Sequence, residues 1–325
     1  MGWSRMWVLA AVVGLGGGVL AGGVEMEWVV VADHRNPNDN TGFGSVASIY
    51  EIGKYEVTAV QYTAFLNAVA ATDLHGLYSA DMWMSPYPCG IERHGTPGAY
   101  TYTVAPDYAN RPVRHVSFWD ACRFANWLNN NGGSTETGAY ALNNITNPDN
   151  ASVVRRSGAK VFLPTLNEWY KAAYYDGQAK WYYDYATGAD TMPGLTLVDP
   201  DPGNSANYSM GLRQNSVGPP YWASEVGAFE NSASPYGTFD QSGNVWGPRG
   251  FPAARAAWPA AGLLVWGRTS CSLPIVWSLT PKTGCPTSVS AWPAFHRPPA
   301  ETHSIHTRLA TSTTIATSIS MIWPS

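Results

Sequence analysis

The chain has 325 residues, of which 45% are apolar and only 13% charged, and its formal net charge is −4. That composition excludes a highly charged disordered chain, and the charge offers no global attraction for nucleic acid or anionic membranes. The 15 Trp and 18 Tyr point to an aromatic-rich core or a stacking surface.

At the N-terminus, Arg5 precedes an apolar run from Met6 to Leu20 and the small residues Ala21-Gly22-Gly23. This order predicts a secretory signal peptide over residues 1–23, and so a protein that is secreted, periplasmic or at the cell surface. The run is glycine-interrupted and shorter than the roughly 20 residues a membrane span requires, so no stable span is expected after cleavage. Val24 to Val31 and Ser48 to Ile52 have β-type composition. The second leads through Gly53 and Lys54 to Thr58-Ala59-Val60-Gln61, a capping box, followed by Tyr62, Phe65, Leu66 and Val69 at helical spacing. Tyr100 to Val104 reads as another strand. Ser117-Phe118-Trp119-Asp120 is an acidic variant of the box and opens a second helix through Leu128. Val161-Phe162-Leu163 runs through Pro164 into Thr165-Leu166-Asn167-Glu168, the third box, with Trp169, Ala172 and Ala173 on its apolar stripe. Residues 33–44, 129–150 and 184–220 are long stretches of Asn, Gly, Pro, Asp and Ser. Such loops suggest an α+β domain of low regular content.

Four segments in order resemble the sulfatase-modifying factor family, whose best-known members are formylglycine-generating enzymes. They are Glu56-Val57-Thr58 with Gln61-Tyr62 and Phe65; Pro112-Val113-Arg114-His115-Val116-Ser117-Phe118-Trp119-Asp120-Ala121; Phe162-Leu163-Pro164-Thr165-Leu166-Asn167-Glu168-Trp169; and Tyr236-Gly237-Thr238-Phe239-Asp240 with Gly243-Asn244-Val245-Trp246. The resemblance implies a fold of the C-type-lectin-like kind, poor in regular structure and often steadied by calcium. It also implies cation ligands near Ala206-Asn207-Tyr208 and near Gly243-Asn244-Val245-Trp246. Asn207, Tyr208 through its carbonyl, and Asn244 are therefore the candidate metal residues, with calcium as a structural ion. Gly247 stands where the family has Glu, so one carboxylate ligand is missing.

After Trp246 the resemblance breaks. Residues 247–325 contain no Asp, Asn, Gln or Tyr, and Glu301 is their single acid, whereas all 18 Tyr lie before them. Their formal charge is +5, against −9 for residues 1–246. A genuine proline- and threonine-rich tail and a shifted reading frame both account for this; the start in mid-motif favours the shifted frame. The expected organisation is a signal peptide (1–23), an incomplete sulfatase-modifying-factor-like domain (24–246) and an atypical tail (247–325). With its C-terminal core segment missing, the sheet should have an unpaired edge.

Catalytic chemistry finds little support. Copper-dependent oxidation in this family uses a cysteine pair in the C-terminal segment; Cys271 and Cys285 sit in surroundings that match no part of its motif, and copper is not expected. Glu168 and Asp120 are read as caps, Glu56 as a buried hydrogen-bonding carboxylate, and His34, His75, His94 and His115 form no ligand set. Trp119, Trp169, Trp181, Trp222 and Trp246 are assigned mainly to core packing, with carbohydrate stacking as the alternative. The expected function is an exported, non-catalytic domain, either vestigial or binding a protein or carbohydrate and not nucleic acid; the alternative is a copper-dependent formylglycine-generating oxidase acting on a sulfatase cysteine.

Overall fold

The computed structural model describes residues 24–144, 153–208 and 216–245, together with the backbone of Gly18–Val19 and Ser278–Leu279. The three expected helices form where their caps place them. Helix α1 (Ala59–Val69) starts at Thr58, whose hydroxyl accepts from Gln61 N while Gln61 Oε1 accepts from Thr58 N at 2.9 Å. A tetrapeptide helix α2 (Asp81–Met84) follows, without a side-chain cap. Helix α3 (Phe118–Asn129) begins at Ser117, whose N–H donates to Asp120 Oδ2 at 2.9 Å. In helix α4 (Leu166–Tyr174), Thr165 N donates to Glu168 Oε2 at 2.7 Å. Each box satisfies two otherwise orphaned donors, which is what lets short helices hold in a loop-rich chain. At α4, Arg155 adds a clamp: its guanidinium donates to both oxygens of Glu168 at 3.0–3.1 Å.

The backbone of β1 (Gly18–Val19) pairs antiparallel with β2 (Glu25–Met26). Strand β3 (Trp28–Val31) pairs antiparallel with β4 (Tyr50–Gly53) in the register Trp28↔Gly53 to Val31↔Tyr50. The sheet continues through β10 (Ser278–Leu279) to β7 (Val161–Phe162), giving the order β3-β4-β10-β7. Two residues of the stretch read as a tail therefore pair with β4 and β7, in a sheet that was expected to have an unpaired edge. A hairpin of β5 (Ile91–His94) and β6 (Thr101–Val104) and a short pair, β8 (Tyr175–Asp176) with β9 (Trp181–Tyr182), complete the strands.

The apolar stripes meet in two cores. In the first, Tyr62 and Phe65 of α1 pack on Phe124 and Trp127 of α3, with ring centres 5.0–5.9 Å apart. The second lies between β3–β4 and α4, where Val31, Tyr50 and Ile52 meet Tyr170, Tyr174 and Tyr175. Tyrosine suits that place because its hydroxyls reach polar neighbours: Tyr170 donates to Asp39 and Tyr175 to Asp33, each at 2.6 Å.

Lys171 is fully buried in this tyrosine-rich layer, and Nζ donates to Asp33 O at 2.8 Å. Burial pushes its ammonium down to about 8, against the pull of Asp33 and with the help of Lys180. The unfolded chain keeps that proton until about 10.5, so between these values it binds more protons than the folded chain, and stability rises with pH. Cys89 opposes the trend above its ordinary value of 9, because burial holds its thiol up at about 11. The gain is therefore clearest from pH 8 to 9. The urea midpoint of the wild-type chain should rise over that interval relative to Lys171→Met, with the two curves differing in slope; parallel curves would remove Lys171 as the cause.

Candidate functional site

The polar residues of greatest consequence converge from five loop segments. Glu56 lies on the turn between β4 and α1, Arg111 and Arg114 precede α3, and Asn207, Trp222–Ser224 and Asp240–Asn244 come from the loops after β9. At the centre is Asn244, held in a left-handed conformation (φ 62°). Its Nδ2 donates to Glu56 Oε2 at 2.8 Å, and its Oδ1 accepts from Ser224 N (2.9 Å), Ser224 Oγ (3.1 Å) and Asn207 Nδ2 (3.2 Å). Its backbone N–H donates to Asn207 O at 2.6 Å. Asn207 in turn donates to Trp222 O at 3.1 Å and accepts from Val217 N at 3.3 Å.

Two buried carboxyls lie beside this lattice. Burial, reinforced by Asp240, raises Glu56 well above the usual range, against the donor from Asn244 and the charge of Arg114. Val245 N–H also faces Glu56, but its bond goes to Gly243 O at 2.8 Å. Glu56 Oε1 is buried without a hydrogen-bond partner. Burial likewise raises Asp240 to about 6, opposed by Gly227 N, which donates to Oδ2 at 2.7 Å. Two acids that each resist ionisation in each other's company favour one shared charge over two.

On the outer side, Arg111 donates through Nε to Asp107 O at 2.9 Å and through a second nitrogen to Ala223 O, and it lies 4.0 Å above the Tyr221 ring. Tyr221 meets Tyr108 at 5.2 Å, and Trp222 meets Tyr87 at 5.4 Å. His115 Nε2 lies 2.9 Å from Tyr87 O.

The structure brings together Asn207 and Asn244, candidates from two separate segments, and the Tyr208 hydroxyl donates to Pro193 O at 2.6 Å. The side-chain oxygens of the two asparagines are engaged by protein donors. A hard cation needs six or more oxygens with free lone pairs, whereas Asn244 Oδ1 already faces three protein donors and Asn207 O a fourth. Among the described residues no three His, Cys, Asp or Glu side chains group as metal ligands.

Glu168 and Asp120 serve as caps, and Glu56 is the buried, hydrogen-bonded carboxylate that was expected. Cys89 and Cys122 are free and buried, and burial raises both thiols. Trp169 belongs to the second core and Trp119 packs against the first, whereas Trp181 is exposed and half-buried Trp222 meets the exposed Tyr87. Cys271, Cys285 and Trp246 lie outside the described residues. Sequence reasoning did not single out Arg114, Asp240 or Ser224 as site residues. The two arginines three apart, Arg111 and Arg114, were the one local signal available.

The model of one family, described as the sulfatase-modifying factor enzyme 1-like domain (FGE-sulfatase), matches residues 9–247. The match begins inside the expected signal peptide and ends one residue past Trp246, where the last motif breaks off. The chain is similar to the crystal structure of CarF, with 18% identity over 78% of this chain and 98% of that one, at a TM-score of 0.44. No curated protein matches it.

A Cβ on Gly243 would collide with the Asn207 carbonyl and press on Tyr208 Cβ at 3.1 Å. Gly243→Ala must therefore push apart the two segments that the Asn244–Asn207 bonds join. A loss of about 1–3 kcal/mol is expected in denaturant unfolding, the size typical of local overpacking. An unchanged unfolding midpoint would contradict the close approach.

Proposed function

Because the chain belongs to the sulfatase-modifying factor family, with its mixed helix-and-strand scaffold, we propose that it is an exported, non-catalytic member that uses the scaffold for binding. The state of the described thiols carries this reading. Thiol oxidation and copper ligation both require a thiolate, favoured by cationic, partly exposed surroundings. Cys89 is buried in the first core, with its thiol held at about 11, and buried Cys122 on α3 is displaced upward further still. Both therefore serve as small apolar side chains. Glu56 and Asp240, both raised by burial, are hydrogen-bonded to Asn244 and to Gly227 N. A C-type-lectin-like arrangement of this scaffold, with binding carried by loops on a packed core, accords with so much chain outside helices and strands.

Signal cleavage between Ala21 and Gly23 would remove β1 and leave the β3–β4 ladder intact, so export is compatible with the fold. A shifted frame after Trp246 remains our account of the composition of residues 247–325. The family's copper-dependent oxidase chemistry is the second reading.

Incubation of the full chain with copper and a Cys-x-Pro-x-Arg peptide should leave the peptide mass unchanged; formylglycine formation would overturn the non-catalytic reading. Calcium at Asn207, Tyr208 and Asn244 competes with the hydrogen-bond lattice as the source of local order. The lattice predicts the same melting temperature with calcium or with chelator, and a calcium-dependent rise would favour the ion.

A further inference from the structure

In the four-stranded sheet β4 and β7 do not pair with each other; the backbone of Ser278–Leu279 stands between them, antiparallel to both. The two strands therefore frame a slot one strand wide. Hydrogen bonds on their far edges fix which groups face it. Lys54 N donates to Glu27 O at 2.9 Å on the β3 side of β4. Backbone direction alternates along a strand, so Ile52 also faces β3, and Glu51 faces the slot. On β7, Val161 N donates to Asn129 Oδ1 at 3.2 Å and Leu163 N to Tyr140 Oη at 3.0 Å. The N–H and C=O of Phe162, between them, point the opposite way. The register agrees from both sides, with Leu279 opposite Glu51 and Ser278 opposite Phe162. One edge of β7 is thus closed by side chains, and the other meets its partner in the slot.

Ile52, Val161 and Phe162 beside the slot are buried, and Glu51 is half-buried. A buried backbone group without a partner is costly, so an emptied slot leaves Phe162 in an unfavourable state. A charged residue placed against β7 would lose its water between Val161 and Phe162. The slot therefore calls for an extended, uncharged segment. Residues 275–280, Ile-Val-Trp-Ser-Leu-Thr, have that chemistry: they carry no charge, are rich in β-branched and aromatic types, and are bounded by Pro274 and Pro281. Ladder bonds read the backbone and not the side chain, so the atypical composition of residues 247–325 does not bar the pairing. That pairing is short, two residues on each side, and its strand is joined to the domain by the long connection from residue 245 to 278. Tethering of this kind confers an effective concentration on the order of millimolar at most, which a free peptide can match.

We propose that the slot between β4 and β7 is a strand-addition site for an extended, uncharged peptide, and that the segment around Ser278–Leu279 (residues 275–280) occupies it in cis as an exchangeable strand. A peptide that displaces this segment takes over the backbone groups of Glu51 on one side and Phe162 on the other. Backbone pairing supplies the affinity, and the buried flank at Val161 and Phe162 selects against charge. This inference rests on the binding reading given above and names the chemistry of the partner.

The test compares the full chain with a full-length variant carrying Ser278→Pro and Leu279→Pro, which removes the N–H donors facing β7 and β4. A fluorescein-labelled peptide of residues 275–280 should bind the variant about tenfold or more tightly than the wild-type chain, by fluorescence anisotropy, because the resident competitor is gone. The same peptide with proline at its Ser and Leu positions should not bind. In amide hydrogen exchange Phe162 and Glu51 should be protected in the wild-type chain, lose about tenfold or more in the variant, and recover when the unmodified peptide is added. Ser278→Pro alone removes only the donor facing Phe162 and is read in the same way if the double variant does not fold. Equal peptide affinity for wild type and variant, no binding by the folded variant, or Phe162 protection indifferent to the substitutions would each overturn the proposal. A wild-type dimer that the substitutions dissolve would place the strand on a second copy and overturn occupancy in cis. Absence of peptide binding, with no oxidation of the Cys-x-Pro-x-Arg peptide, would remove this site and spare the non-catalytic reading. Oxidation accompanied by proline-sensitive strand binding would do the reverse.

Discussion

The carboxamide of Asn244 is the contact on which the loop-built part of this molecule depends. Its two ends and the adjoining N–H join Glu56 beside the sheet to Asn207, Ser224 and the motif turn that contains Asn244. No helix or strand links those segments, so side-chain hydrogen bonds must do what a ladder does elsewhere. Their environment is buried, which strengthens each bond and makes each unmatched group costly. The same neighbourhood holds Glu56 Oε1, buried without a hydrogen-bond partner, in electrostatic reach of the buried Arg114.

Local chemistry made part of the fold readable. All three capping boxes were legible because a hydroxyl and an acid or amide three residues later satisfy each other within one turn. The strands around Tyr50–Gly53 and Val161–Phe162 followed from β-branched and aromatic composition leading into those caps. Helix α2 was not legible, since it has four residues and no side-chain cap. The family match ends at residue 247, where both the motif and the composition of the chain change.

What escaped the sequence depends on partners far away along the chain. Glu168 was read as a cap, but its Arg155 clamp comes from a loop with no periodic signal. Lys171 sits on a helix where lysine usually marks solvent; its burial follows from Asp33 and the tyrosine layer folding over it. Asn207 and Asn244 were singled out on the strength of the resemblance, in two separate segments; the hydrogen bonds that join them to each other and to Ser224 and Val217 left no mark in the sequence. Trp222 was assigned with the other tryptophans mainly to core packing, and in the structure its backbone is left-handed and its half-buried ring meets Tyr87. Backbone conformation at a single residue leaves little trace in sequence when the residue is not glycine.

The lattice is most directly tested by amide hydrogen exchange in the wild-type chain and in Asn244→Ala. If the carboxamide joins the loops, the amides of Ser224 and Asn244 and the neighbouring amide of Gly227 should lose protection together, by about a hundredfold or more, while α1 and the β5–β6 hairpin keep theirs. Unchanged protection at Ser224 and Gly227 would show that the loops are held by something else and would contradict the account.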